Sequence, residues 1–137
     1  IRRWFMAFAP SKESHSLYSS LIGRLACCVK VPTNNIGGEI VKDNETYLLR
    51  DNKLLKNLVV SSTLLLPGKE TRGHSHDGQE EVYFFIYGRG EMTLGDETFP
   101  VAGGETVLIP DGVFHRVKNT QKYPLYFVCV FDGKRYE

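Results

Sequence analysis

The sequence predicts an all-β fold, a sandwich or barrel of short strands behind a distinct N-terminal arm. Three observations predict it. From residue 39 onward, roughly nine short runs rich in branched and aromatic residues alternate with turn signals about every 8–12 residues. Those signals are Gly, Pro, Asn and Asp clusters, and no helical periodicity runs between them. The 137 residues, 42% hydrophobic and 24% charged, fit one ordinary globular domain with a core of its own.

Taken in order, the first 35 residues form the arm. Leu17, Leu21, Ile22, Leu25 and Cys28 lie near helical spacing, and Ser11 or Ser14 is a candidate cap, so a short helix is predicted over 14–30. Pro32, Thr33-Asn34-Asn35 and Gly37-Gly38 break the chain, which divides it into an arm (1–35) and a barrel (36–137). Strands are predicted at 39–41 and 46–50, and at 58–66 before Pro67-Gly68. The aromatic run 81–87 stops at Gly88-Arg89-Gly90. Strands 91–94 and 97–101 straddle a Gly95-Asp96 hairpin turn. Residues 106–109 stop at Pro110-Asp111-Gly112, and 114–118 and 125–131 complete the set.

Bulk properties narrow the function classes. The formal net charge of +1 gives no strong field toward nucleic acid or an anionic membrane. No stretch approaches the ~18 apolar residues of a membrane span, and the apolar part of the first ten residues is too short for a signal peptide. Cys27, Cys28 and Cys129 form an odd set without framework spacing, as expected of reduced thiols in a cytoplasmic protein.

Chemistry concentrates in histidine. His15 stands alone and is read as a surface residue. His74 and His76 are two apart, and on an extended chain alternate residues point to one side. Gly73 and Gly78 flank them, Glu81 opens the next strand, and His115 follows the Pro110-Asp111-Gly112 turn. Three imidazoles and one carboxylate suit Zn, Fe, Mn, Ni, Co or Cu better than Ca or Mg.

Two longer runs carry a family resemblance. Residues 68–88, GKETRGHSHDGQEEVYFFIYG, resemble the first motif of the cupin family, G(X)5HXH(X)3,4E(X)6G. Residues 104–119, GETVLIPDGVFHRVKN, resemble the second, G(X)5PXG(X)2H(X)3N. Every fixed position is filled, and the short separation, residues 89–103, is similar to that of small single-domain cupins. The resemblance covers about residues 58–131. It implies a double-stranded β-helix, or jelly roll, with one divalent transition metal (Fe, Mn, Zn, Ni or Co) in one mouth.

The implied ligands are His74, His76, Glu81 and His115. The motif spacing admits Glu80 as well, but the gap to Gly88 selects Glu81. Gly88, Gly104 and Gly112 fit positions that need positive φ or no side chain. Pro110 presets a turn, and Asn119 is implied to hold the chain rather than the metal.

With Glu81 inward, Tyr83 and Phe85 share its side, as Val117 shares that of His115. Phe85 is read as core, whereas Tyr83 brings a hydroxyl close to the metal. Phe84 and Tyr87 face the opposite way, toward a second sheet or a partner subunit. Tyr83, His115 and Glu81 are the candidate catalytic residues. Arg72, Arg50, Arg116 and Lys118 are candidates for a cationic rim that suits a phosphate or carboxylate.

By resemblance, the expected activity is isomerase- or epimerase-like chemistry on a sugar or sugar phosphate. An Fe(II) dioxygenase and a non-catalytic module that binds a sugar or another small ligand are the alternatives. A homodimer is expected, with no nucleic-acid or membrane partner.

Overall fold

The computed structural model describes residues 29–133. The predicted helix over 14–30 lies outside these residues except for Val29 and Lys30, whose backbone is not helical. Nine strands follow in order: β1 (Glu39–Asp43), β2 (Tyr47–Asn52), β3 (Leu58–Leu65), β4 (Glu81–Tyr87), β5 (Arg89–Leu94), β6 (Glu97–Ala102), β7 (Thr106–Ile109), β8 (His115–Lys118) and β9 (Leu125–Asp132). All pair antiparallel in two sheets. The large sheet has the order β1-β2-β3-β9-β4-β7 and the small one β6-β5-β8. The architecture is a jelly roll, and no described element is a helix.

The small sheet has a further, irregular lane. Asn119 N–H donates to Lys69 O (2.8 Å) and Thr71 N–H donates to Val117 O (2.8 Å). His74 and His115 exchange a backbone pair, 3.1 Å in one direction and 3.0 Å in the other. The segment from Lys69 to His74 thus runs antiparallel to β8 and brings the first histidines beside the last.

Period-2 patterning places side chains. In β4, Glu81, Tyr83 and Phe85 are buried, while Val82 and Phe84 turn outward. The interior between the sheets holds Leu65, Phe85, Met92, Val117, Leu125 and Phe127, each at most 1% exposed. Full burial of such a side chain contributes roughly 1.5–3 kcal/mol. A second cluster lies on the outer side of the large sheet. There Ile36, with Val31, covers Leu48, Leu64, Tyr126 and Val128. Tyr126 Oη donates to Thr33 O at 2.7 Å, which ties the entering chain to that side.

The predicted strands are present, with shifted ends. Residue 114, expected in a strand, precedes β8. β5 starts at Arg89, earlier than the Gly88-Arg89-Gly90 cluster implied, because Gly88 alone makes the break. Its φ is +92°, and a Cβ there would stand 2.6 Å from Pro124 O. The chain therefore steps from the large sheet to the small one at a residue that only glycine fits. Gly95 (φ +60°) is the sole positive-φ residue of the β5–β6 turn, as a type II′ hairpin requires.

Candidate metal centre

Three elements converge at one mouth of the barrel. The lane beside β8 carries His74 and leads to His76, β4 opens with Glu81, and β8 opens with His115. Ligand atoms of His74, Glu81 and His115 lie within 4.8 Å of one another. Glu81 presents both oxygens: Oε2 is 3.8 Å from His115 Nε2, and Oε1 is 4.0 Å from His76 Nε2. His76 stands at the rim of this trio, its ring 4.4 Å from that of His74 and 6.2 Å from that of His115. Two donors each about 2.1 Å from a metal stand roughly 3–4 Å apart, so the separations around Glu81 fit a shared cation.

His115 supplies the test of that fit. Its Nδ1 is 3.0 Å from Val113 O, an acceptor, so Nδ1 carries the proton and Nε2 keeps its lone pair. Nε2 is buried and has no hydrogen-bond partner. An orphaned buried acceptor costs on the order of 1–3 kcal/mol, and a cation would remove that cost. Burial also lowers the His115 pKa below the usual histidine value, against a smaller opposing effect of the Val113 bond. The ring is thereby held neutral, the form that ligates metals, and oriented by a backbone carbonyl as ligating histidines usually are.

The surrounding turns fix the candidate ligands. Gly112 N–H donates to His76 O (3.0 Å), and Gly78 N–H donates to Asp111 Oδ1 (2.6 Å), so the loops carrying the two motifs hold each other. Gly73 (φ +80°) lies against Phe114, and a Cβ there would come 2.6 Å from that ring. Asn119 is fully buried and ties the chain as implied. Its Nδ2 donates to Leu65 O and Tyr123 O, and its Oδ1 accepts from Gln121 N–H.

Behind the trio lies a cavity of about 400 Å³, within the ordinary range for small-ligand sites. Tyr83 is in its wall, 7% exposed, its ring 5.7 Å from His115 and stacked at 5.2 Å on Phe127. Phe85 and Val117 stand outside the lining and belong to the core. Of the four cations expected at the rim, Arg72 lines the cavity. Arg50 does not: it pairs in register with outward-facing Ser62 and sits with Tyr126 on the outer side of the sheet. Arg116 is engaged by Glu70 at 2.8 Å.

Lys42 lines the cavity and was not anticipated. A register shift between Ile40 and Lys42 sets Lys42 opposite inward-facing Leu49. Ser61 and Thr63 add hydroxyls from β3.

Comparisons with known proteins agree with the fold. The family model described as Cupin domain matches residues 62–131. An uncharacterised protein of Methanocaldococcus jannaschii is 30% identical over 94 residues, which cover 61% of this chain and 75% of that one. A glucose-6-phosphate isomerase of Thermococcus kodakarensis is 30% identical over 112 residues, 69% of this chain but only 59% of the isomerase. Among solved structures, a chain of Bacillus subtilis oxalate decarboxylase, a protein with Mn(II) centres, superposes with a TM-score of 0.65 at 23% identity. That match covers 72% of this chain and 29% of the decarboxylase, and it bears on fold alone. Both motifs, the jelly roll and the family match converge: the chain belongs to the cupin family.

Proposed function

We propose that this cupin binds one divalent transition metal through His74, His76, Glu81 and His115. We also propose that it acts on a small polar metabolite bearing a phosphate or carboxylate, in isomerase- or epimerase-like chemistry. The observation that carries this reading is the partnerless His115 Nε2 at the mouth of a cavity that Lys42 and Arg72 also line. Neither cation has an acidic partner within 4.0 Å among the described residues, so both are available to an anionic ligand. The likeness to glucose-6-phosphate isomerases supports a sugar phosphate.

When bound, the metal would supply positive charge to polarise a substrate carbonyl or hydroxyl. The chain's own residues have separable tasks. Glu81 and His115 are committed to the metal, which leaves Tyr83 as the wall residue to hold a proton on its Oη against a substrate oxygen. Thr63 presents a hydroxyl to a polyhydroxy ligand, whereas the Ser61 hydroxyl donates to Arg50 O at 3.1 Å. Phe127 and Phe131 keep the rest of the wall apolar.

The test begins with elemental analysis of the purified protein and a thermal-shift screen of sugar phosphates, sugar acids and oxalate. His115→Ala should lower metal affinity by about tenfold or more; unchanged metal content would overturn the ligand set. Tyr83→Phe should reduce kcat at full metal content, and an unchanged kcat removes Tyr83 from the chemistry.

A further inference from the structure

Arg50 carries a buried charge away from the metal centre. It belongs to β2, lies on the outer side of the large sheet and is only 8% exposed. Among the described residues no carboxylate comes within 4.0 Å of it. Exposed Asp43 of β1 attracts it from beyond that distance. Burial is the stronger influence, and it lowers the Arg50 pKa. A cation taken out of water is costly unless it is paired, so this arginine is half of an interaction. Arg50 lines a cavity of about 20 Å³ together with Asn34, Asn35, Ser62 and Tyr126. That is room for one particle of about the size of a water molecule. Two of these groups are already engaged: Tyr126 Oη donates to Thr33 O at 2.7 Å, and the Ser62 hydroxyl is bonded to Tyr126.

We propose that this cavity is a second ligand site, which takes one monovalent anion of about chloride size against Arg50. The guanidinium supplies positive charge and several N–H donors, and Asn34 adds a side-chain amide that can donate. Leu48 and Leu64 complete the wall, and their low polarity strengthens the pairing. Size sets the ligand class. A phosphate ester or a sugar acid does not fit, which separates this site from the barrel cavity lined by Lys42 and Arg72 on the other side of the sheet. The ion answers the buried charge and ties Asn34 and Asn35, on the segment leading into β1, to β2 and β3. It thereby adds to the hold that Tyr126 has on that segment through Thr33 O. The proposal does not depend on the metal or the substrate.

The test is thermal melting of the full chain. Sodium chloride up to about 50 mM replaces sodium gluconate at constant ionic strength, so screening is unchanged. Gluconate is too large for the cavity and serves as the inert anion. Tm is expected to rise with chloride and to saturate at a gain of about 3 °C or more. Arg50→Gln should abolish the rise, whereas Lys42→Ala with Arg72→Ala should keep it. Asp43→Asn removes the carboxylate that competes for Arg50, so it should move the rise to lower chloride. This exposed substitution decides the matter should Arg50→Gln fail to fold. Equal melting in the two salts overturns the proposal. A rise that survives Arg50→Gln overturns it too, as does a midpoint that Asp43→Asn leaves unmoved. A rise lost with Lys42→Ala and Arg72→Ala places the ion in the barrel instead and also overturns it.

Discussion

Asn119 shows how one side chain can hold a mouth open. Completely buried, it satisfies Leu65 O, Tyr123 O and Gln121 N–H at once, joining the end of β3 to the β8–β9 loop. Asn119→Ala leaves those buried groups unpaired, so a loss of about 1–3 kcal/mol is expected in urea unfolding. Glu80 and Glu81 make a sharper comparison. Glu81 is buried between two histidines, whereas Glu80 is exposed. Glu81→Gln should lower bound metal in elemental analysis, and Glu80→Gln should leave it unchanged. Sequence spacing alone favoured Glu81, and strand alternation gives the reason, since adjacent residues of a strand cannot share a side.

Among elements, the step from β4 to β5 takes the chain from the large sheet to the small one. Gly88 makes it with positive φ and with Pro124 O where a Cβ would sit. Gly88→Ala should cost at least about 1–2 kcal/mol from the left-handed backbone alone, with the clash in addition. The expected readout is a lower Tm and an unchanged fold by circular dichroism.

β1 teaches the opposite lesson about legibility. Its start at Glu39 was visible in the sequence, but its continuation to Asp43 and its bulge were not, because a one-residue register change leaves no compositional trace. That change brings Lys42 to the cavity. Lys42→Ala with Arg72→Ala should therefore raise the Kd or KM of an anionic ligand by tenfold or more if the pair acts as an anion clamp. Calorimetry measures this, and metal content should be unaffected.

At the scale of the molecule, the proposed metal site would link metal binding to folding. The proposed ligands come from two motifs far apart in sequence, so an ion that binds only the folded chain would stabilise it by about 2.7 kcal/mol at a hundredfold excess over Kd. Removing the metal with a chelator should lower Tm, and adding it back should restore Tm.

The strands and both motifs were legible because each rests on local signals: alternation, glycine turns and short spacings. Cross-strand properties were not. The outer apolar cluster joins Leu48, Leu64 and Tyr126, from three separate strands that become neighbours only through register. Arg50 looked like a rim cation until pairing with Ser62 set it on the outer side.

The pair of backbone hydrogen bonds between His74 and His115 has a dynamic consequence. It ties the two segments that carry the proposed ligands into one opening unit, so neither swings aside without breaking this pair. Ion release would then proceed through a concerted local opening, and slow metal dissociation would reflect backbone cohesion as much as coordination strength. Amide hydrogen exchange at these two positions should slow together when metal is added, by equal factors.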